Sequence, residues 1–288
     1  MLSVVVPVHD RASLLRRALD SLVRQGSGVT EVIVVDDGSA EDIKGVVEAE
    51  GSTKARYVWQ PQEGANAARN HGARLTRTDR LTFLDADDEV LPGWADALNQ
   101  ALTAGAHIAC CGFEHRTSEG QVSARLPGPL TGPLEGASGM FNHAGTYALR
   151  KDVFDAVGGF AEQLRAAQHT ELSYRLIPLA VARGWRIANL DAPLVRYYAN
   201  LGGIRGDDAA VLEGAEYVLR THEALLRAHP QHRARQHATA GYRAARLRQL
   251  HRARAHFRSA VTADPRAVKH WARYGLSLVP ALATRTWG

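Results

Sequence analysis

The chain has 288 residues, 45% of them apolar and 23% charged, the composition of an ordinary globular protein and the length of one large α/β domain or of one domain with an appendage. Met1 leads almost directly into LSVVVPV with neither a basic n-region nor a cleavage site, and no apolar run approaches the ~20 residues needed to span a bilayer, so a cytoplasmic location is expected. Charge is uneven: residues 206–288 hold 14 Lys and Arg against 6 Asp and Glu, net +8, whereas the remainder holds 21 against 24, net −3, a slightly acidic body with a basic tail.

Four apolar, β-branched runs alternate with helical patterns. LSVVVPV (2–8) precedes ASLLRRALDSLVRQ. TEVIVVDD (30–37) precedes AEDIKGVVEAE, with Ser39 the expected N-cap. ARYVWQ (55–60) precedes ANAARNHGARLT, and RLTFLD (80–85) precedes GWADALNQALTAG. This alternation predicts parallel βαβ units, and in such sheets ligands bind beyond the carboxyl ends of the strands. Those ends hold Pro7-Val8-His9-Asp10, Asp36-Asp37-Gly38-Ser39 and Asp85-Ala86-Asp87-Asp88, so three polar clusters are expected on one rim. The third places Asp85, Asp87, Asp88 and Glu89 within five residues beside a buried strand end. Carboxylates so close repel one another and resist burial unless a positive charge neutralises them.

After residue 107, HIACCGFEHR and GQVSARL predict a hairpin pair. Cys110 and Cys111, adjacent on a strand, point to opposite faces, which argues against a disulfide or a metal site there. The Gly- and Pro-rich loop PGPLTGPLEGASG follows, then TYALRKDVFDAVGGF and the helical HTELSYRLIPLAVARG. RIANL and LVRYY predict two short closing strands. From about residue 207 everything reads helical. The segment GYRAARLRQLHRARAHFRSAVTADPRAVKHWARYGL resembles one tetratricopeptide-like unit, with no second copy. The predicted fold class is α/β, a mixed, mainly parallel sheet flanked by helices over 1–205, with a basic helical region over 206–288.

Five pieces, VVVPVHDRASLLRRALDSL, VIVVDDGSAED, GANAARNHG, FLDADDEVLPGW and VGGFAEQL, together resemble the family 2 glycosyltransferases with the GT-A fold, in order and at family-like spacing across roughly residues 2 to 198. The resemblance implies inverting transfer of a sugar from a nucleotide-sugar, a UDP-sugar being favoured, with a divalent metal, Mn²⁺ or Mg²⁺. It implies no particular acceptor. A hard divalent cation held by carboxylates neutralises a departing diphosphate. By resemblance Asp87 is the main metal ligand of an Asp-X-Asp element, and Asp85 sits near the ribose or a metal-bound water. Asp88 either assists or caps the following helix. Asp37 is implied as the uracil contact, with Pro7 and Val8 beside the base as backbone contacts. Gly64 and Arg69 match the segment that closes over the nucleotide: glycine permits close backbone approach, and arginine offers a fork to phosphate or base. His9, His71 and His143 read as ordinary structural histidines.

Two departures stand out. Where the family carries a Glu-Asp pair whose Asp is the catalytic base, this chain has Gln168 and His169, with Glu171 two residues on, which makes His169 the first candidate base and Glu171 the second. Where relatives often carry a His-containing phosphate loop, the chain has YYANLGGIRGDD, with Arg205 a candidate replacement. The missing base leaves a second reading, a catalytically degenerate sugar-nucleotide-binding module. The basic tail suggests peripheral contact with an anionic membrane surface, an acidic protein or a second subunit, or simply a solvated face. It lacks the interleaved aromatics and recognition motifs of nucleic-acid binders, so no nucleic acid is expected. PVHDRA lacks the G-x-G-x-x-G fingerprint of dinucleotide-binding dehydrogenases.

Overall fold

A computed structural model describes residues 1–50, 54–117, 120–127, 141, 143–198 and 206–287. They form two compact units: the described residues within Met1–Leu130, Glu135–Gln163 and Arg175–Leu201, and those within Leu164–Tyr174 and Gly202–Gly288. Arg205 and residues 128–139 of the Gly- and Pro-rich loop lie outside the described residues.

The first unit is built on one sheet. β1 (Leu2–Val8) is buried along its whole length, as expected of a parallel strand covered on both faces. α1 (Ala12–Val23) follows, then β2 (Val29–Asp37), α2 (Ile43–Ala49), β3 (Ala55–Gln60), α3 (Ala65–Leu75) and β4 (Arg80–Phe83). The strands β3, β2, β1 and β4 lie side by side and all parallel. α3 packs closely on this layer: a Cβ at Gly72 would stand 2.4 Å from Val5 Cγ1 and 3.0 Å from Val35 Cγ2, so only glycine fits there without moving a strand. The expected cap at Ser39 is not made. Asp42 caps α2 instead, its side chain accepting from the Gly45 N–H, while Ser39 Oγ accepts from the Asp10 N–H (3.0 Å).

Beyond β4 the unit continues through β5 (Glu89–Val90), α4 (Trp94–Thr103), β6 (Ile108–Arg116), β7 (Val122–Arg125), β8 (Tyr147–Arg150), α5 (Lys151–Val157), α6 (Gln168–Ala182) and β9 (Ile187–Tyr198). The sheet order is β3-β2-β1-β4-β8-β6-β9-β5, with β7 on β6. β8 runs antiparallel to both β4 and β6, and β6 runs parallel to β9. The expected hairpin of β6 and β7 is present. RIANL and LVRYY, expected as two strands, form one. Asn189 lies opposite Cys110 and Pro193 opposite Gly112, so β9 advances four residues while β6 advances two. The surplus is taken up in a bulge around Pro193, which has no N–H to give a ladder.

The second unit is helical: α7 (Asp208–Thr221), α8 (Glu223–Ala228), α9 (Pro230–Arg246), α10 (Leu250–Ala263), α11 (Val268–Ser277) and α12 (Pro280–Trp287). Asp207 caps α7 through the Ala210 N–H (3.0 Å), and Pro230 opens α9, where a missing N–H costs nothing. Its core is made of small residues around a few large ones: Ala240, Ala244 and Ala253 pack with Leu212, Phe257 and Trp287. Gly241 lets the buried Phe257 ring approach, since a Cβ there would meet Cε1 at 2.7 Å. Residues 168–174 of α6 group with this unit, where Tyr174 packs with Val218 and Leu226.

Candidate active site

Parallel pairing sets the geometry of the site. Val8 lies opposite Asp36, and Val5 lies opposite both Ile33 and Phe83. The segments leaving β1, β2 and β4 therefore emerge at one rim of the sheet, as the alternating pattern predicts. Pro7 and Val8 are the last two residues of β1 and both are buried.

The first two segments are tied together by hydrogen bonds. Asp10, in the left-handed region at φ +48°, accepts at Oδ1 from the N–H groups of Ala40 and Glu41, which hold its carboxyl below its ordinary value. Asp36, buried, accepts from the Ser39 N–H and the Tyr57 hydroxyl. Burial and this carboxylate push the Tyr57 phenol up to about 12. Asp37 is only 4% exposed. Its Oδ1 accepts from Gln60 Nε2 (2.8 Å) and the Glu63 N–H (2.9 Å), and its Oδ2 from the Gly64 N–H (2.8 Å). Gln60 is fixed in turn by His71, which donates from Nδ1 to its Oε1. Gly64, at φ +98° with nothing near its would-be Cβ, stands at the N-cap of α3. Asp37 thus anchors the loop that leads into α3.

Asp85, Asp87 and Asp88 each offer a carboxylate oxygen, and these three atoms lie within 4.8 Å of one another. Such a triangle suits a hard cation, whose oxygen ligands sit at about 2.0–2.6 Å from it. Asp88 does not cap the following helix: α4 begins at Trp94 with Gly93 at its N-cap. The protein's own cations already meet the acids. Arg69, 3% exposed, donates from Nη2 to Asp85 Oδ1 (2.6 Å) and from Nη1 to Asn66 Oδ1 (2.9 Å). Arg11 Nη1 pairs with Asp87 Oδ2. Arg17 donates to the Asp87 carbonyl (2.6 Å), faces Glu89, and lies over the Tyr198 ring at 3.9 Å. Burial and the Asp85 charge raise the Asp87 carboxyl above its ordinary value, against the pull of Arg11.

Sequence reading did not single out Arg11, Arg17, Asn66 or Asn70. The asparagines had a signal in their i, i+4 spacing on α3. Asn66 Nδ2 donates to the Ala161 carbonyl, and Asn70 exchanges hydrogen bonds with the Phe160 backbone. They clamp the Gly158-Gly159-Phe160 segment to the helix that carries Arg69.

His169 and Glu171 lie in the first turn of α6, in the part that belongs to the second unit. His169 is 5% exposed and Glu171 1%. Glu171 Oε1 stands 3.2 Å from His222 Nε2 on the same unit, and the His222 ring packs on Tyr174.

A curled, mostly parallel sheet with an acid cluster at the carboxyl edge of β4 is the GT-A arrangement. The profile described as Glycosyl transferase family 2 matches residues 3–167, more than half of the chain, and the chain belongs to that family. An uncharacterized glycosyltransferase of Haemophilus influenzae is 29% identical over 187 residues, 62% of each chain. The GalNAc(5)-diNAcBac-PP-undecaprenol beta-1,3-glucosyltransferase of Campylobacter jejuni is 35% identical over 133 residues, covering 44% of this chain and 42% of that protein. The chain thus spans less than two thirds of the length of these relatives. Among solved structures, S. aureus TarS 1-349 in complex with UDP-GlcNAc superposes with a TM-score of 0.64 at 16% identity, covering 99% of this chain and 89% of that one. A mannosyltransferase from Pyrobaculum calidifontis in complex with GDP-Man and Mn2+ gives 0.59 at 17% identity, covering 99% and 82%. At these identities the likeness is one of fold.

Proposed function

We propose that the chain is an inverting glycosyltransferase that moves a sugar from a nucleotide-sugar, a UDP-sugar by preference, to an acceptor hydroxyl. The observation that carries this reading is the convergence of the Asp85, Asp87 and Asp88 carboxylates at the rim that also holds the Asp37-anchored loop and Arg69. Asp85 and Asp87, with Asp88 beside them, would hold a divalent cation, Mn²⁺ or Mg²⁺. That cation supplies charge neutralisation for the departing diphosphate.

The remaining work falls to the chain itself. Asp37 fixes the Glu63-Gly64 backbone and keeps acceptor capacity for the N3–H of uracil, since a carboxylate has about four lone-pair sites and three are taken. Pro7 and Val8 present backbone to the base. Arg69 holds Asp85 in place. As the acceptor oxygen attacks C1 and the C1–O bond to the diphosphate breaks, the acceptor proton is assigned to His169, which matches the family's base in sequence position alone; Glu171, engaged with His222, is the second candidate.

The test is release of nucleoside diphosphate from a panel of nucleotide-sugars with Mn²⁺, with thermal shift read in parallel. Release from a UDP-sugar that Asp87→Ala abolishes supports the proposal. Neither release nor thermal shift with any donor would overturn it. Binding without turnover would assign instead a sugar-nucleotide-binding module, the reading favoured by Gln168 and His169 in place of the acid pair.

A further inference from the structure

α11 packs on the second unit's core through Tyr274 and Leu276 and leaves a further apolar side outward. At 100° per residue, Val268, Trp271, Ala272 and Gly275 fall on one side of α11, and all four are exposed, Val268 at 78% and Trp271 at 50%; Val279, in the turn after the helix, is exposed too. Leu278 and Leu282 are each about half exposed as well. The opposite side carries His270 and Ser277, both buried. Ser277 Oγ donates to the Tyr274 carbonyl (2.6 Å), and the Ser277 carbonyl accepts from Arg254 (3.1 Å). A surface helix of a globular protein normally turns its apolar residues to the core and its polar ones outward, whereas α11 leaves Val268 and Trp271 outside while His270 and Ser277 are buried. Exposed apolar residues scattered singly need no explanation; five large ones between residues 268 and 282 do. Trp271 sharpens the point. Its Nε1–H donates to the Pro265 carbonyl (2.9 Å), so the polar edge of the indole is satisfied within the chain and its hydrocarbon part is left to face outward.

The charge in this last stretch is predominantly positive. Beyond Glu223 the only acidic residue is Asp264, against thirteen Lys and Arg, and Arg266, Lys269, Arg273 and Arg285 fall in the last stretch. Several of the others are spent internally, Arg243 and Arg246 on Asp208 and Arg252 on Glu216. Arg266, Lys269 and Arg285 are exposed. A second copy of the chain on this face would set these cations against their own equivalents, because a two-fold interface is self-facing. An anionic lipid surface matches both features at once, accepting the apolar side chains at the acyl boundary and the cations at the headgroup phosphates.

We propose that α11 and the start of α12 form an interfacial lipid-binding face that lies in the surface of an anionic bilayer. α11 has ten residues, and among the described residues no helix is long and apolar enough to cross a membrane, so the contact is one of lying on the bilayer. The proposal is independent of the glycosyl-transfer reading.

The experiment is flotation of the full chain with vesicles of phosphatidylcholine alone and of phosphatidylcholine with phosphatidylglycerol, at low and high salt. One variant carries Trp271→Ser with Leu278→Ser, the other Arg266→Gln with Lys269→Gln, each checked for an unchanged melting temperature. Wild type should float with the anionic vesicles, and high salt should weaken it by screening. Each variant should lose partitioning roughly tenfold or more. No flotation with anionic vesicles overturns the proposal, as does flotation that the apolar variant leaves unchanged. A wild-type dimer in solution that the apolar variant converts to monomer would also overturn it, by giving the face to a second copy.

Discussion

Arg11→Met tests the acid cluster from the side of its own counter-ion. Arg11 occupies Asp87 Oδ2, and the two side chains are 28% and 21% exposed. A divalent cation arriving at Asp87 must share or take that oxygen. An exposed ion pair is worth about 0.2–1 kcal/mol, while breaking a fully buried one costs about 3–5 kcal/mol. For a pair mostly but not wholly out of water, a competition of about 1–2 kcal/mol follows, or roughly 5–30-fold in affinity. Methionine keeps much of the length of arginine and removes the charge, so the acids gain a net negative charge that a cation relieves. The assay is titration of nucleotide-free protein with Mn²⁺, followed by the paramagnetic resonance signal of the free ion. The expected order of affinity is Arg11→Met above wild type and Asp87→Ala below it. If Arg11→Met binds Mn²⁺ no more tightly than wild type, or Asp87→Ala binds as well, the cluster is not a cation site of this kind.

Three further outcomes are expected. Asp37→Ala removes the acceptor of three donors, and with charge-assisted bonds worth about 1.5–3 kcal/mol each, calorimetry should show UDP binding weakened at least ~10-fold and its margin over GDP and ADP reduced; a wild type that prefers GDP contradicts the assignment. His169→Ala should lose at least ~100-fold in kcat/KM while still binding the donor, and should lose the limb over which the rate rises with pH; retention of both moves the test to Glu171→Gln. Burial holds His232 and His237 down to about 4, with Arg235 and His256 respectively adding to the shift. Between the ordinary histidine value of ~6.5 and about 4 the unfolded chain binds protons that the folded chain does not, so stability should fall as pH falls through that window. Urea unfolding that shows no decline between pH ~7 and ~5 would refute this.

Much of the first unit is written locally in the chain. β1 to β4 and the helices between them follow from apolar runs and amphipathic spacing, and their parallel order alone requires that Asp37 and the Asp85–Asp88 cluster meet at one rim. Those features depend on neighbours a few residues apart and on the handedness and pairing rules of βαβ units. What the tertiary structure decided depends on residues far apart in sequence. Arg11 meets Asp87 across 76 positions, and Asp37 spends its carboxylate on a loop more than twenty residues away. The two-residue β5 exists only because β9 lies beside it, and β9 runs on past Pro193 because β6 supplies a partner on both sides of the bulge. The basic tail was legible as charge, but its composition does not say which side of α11 turns inward. Packing settles that: His270 and Ser277 face the protein, and Val268 and Trp271 are left outside.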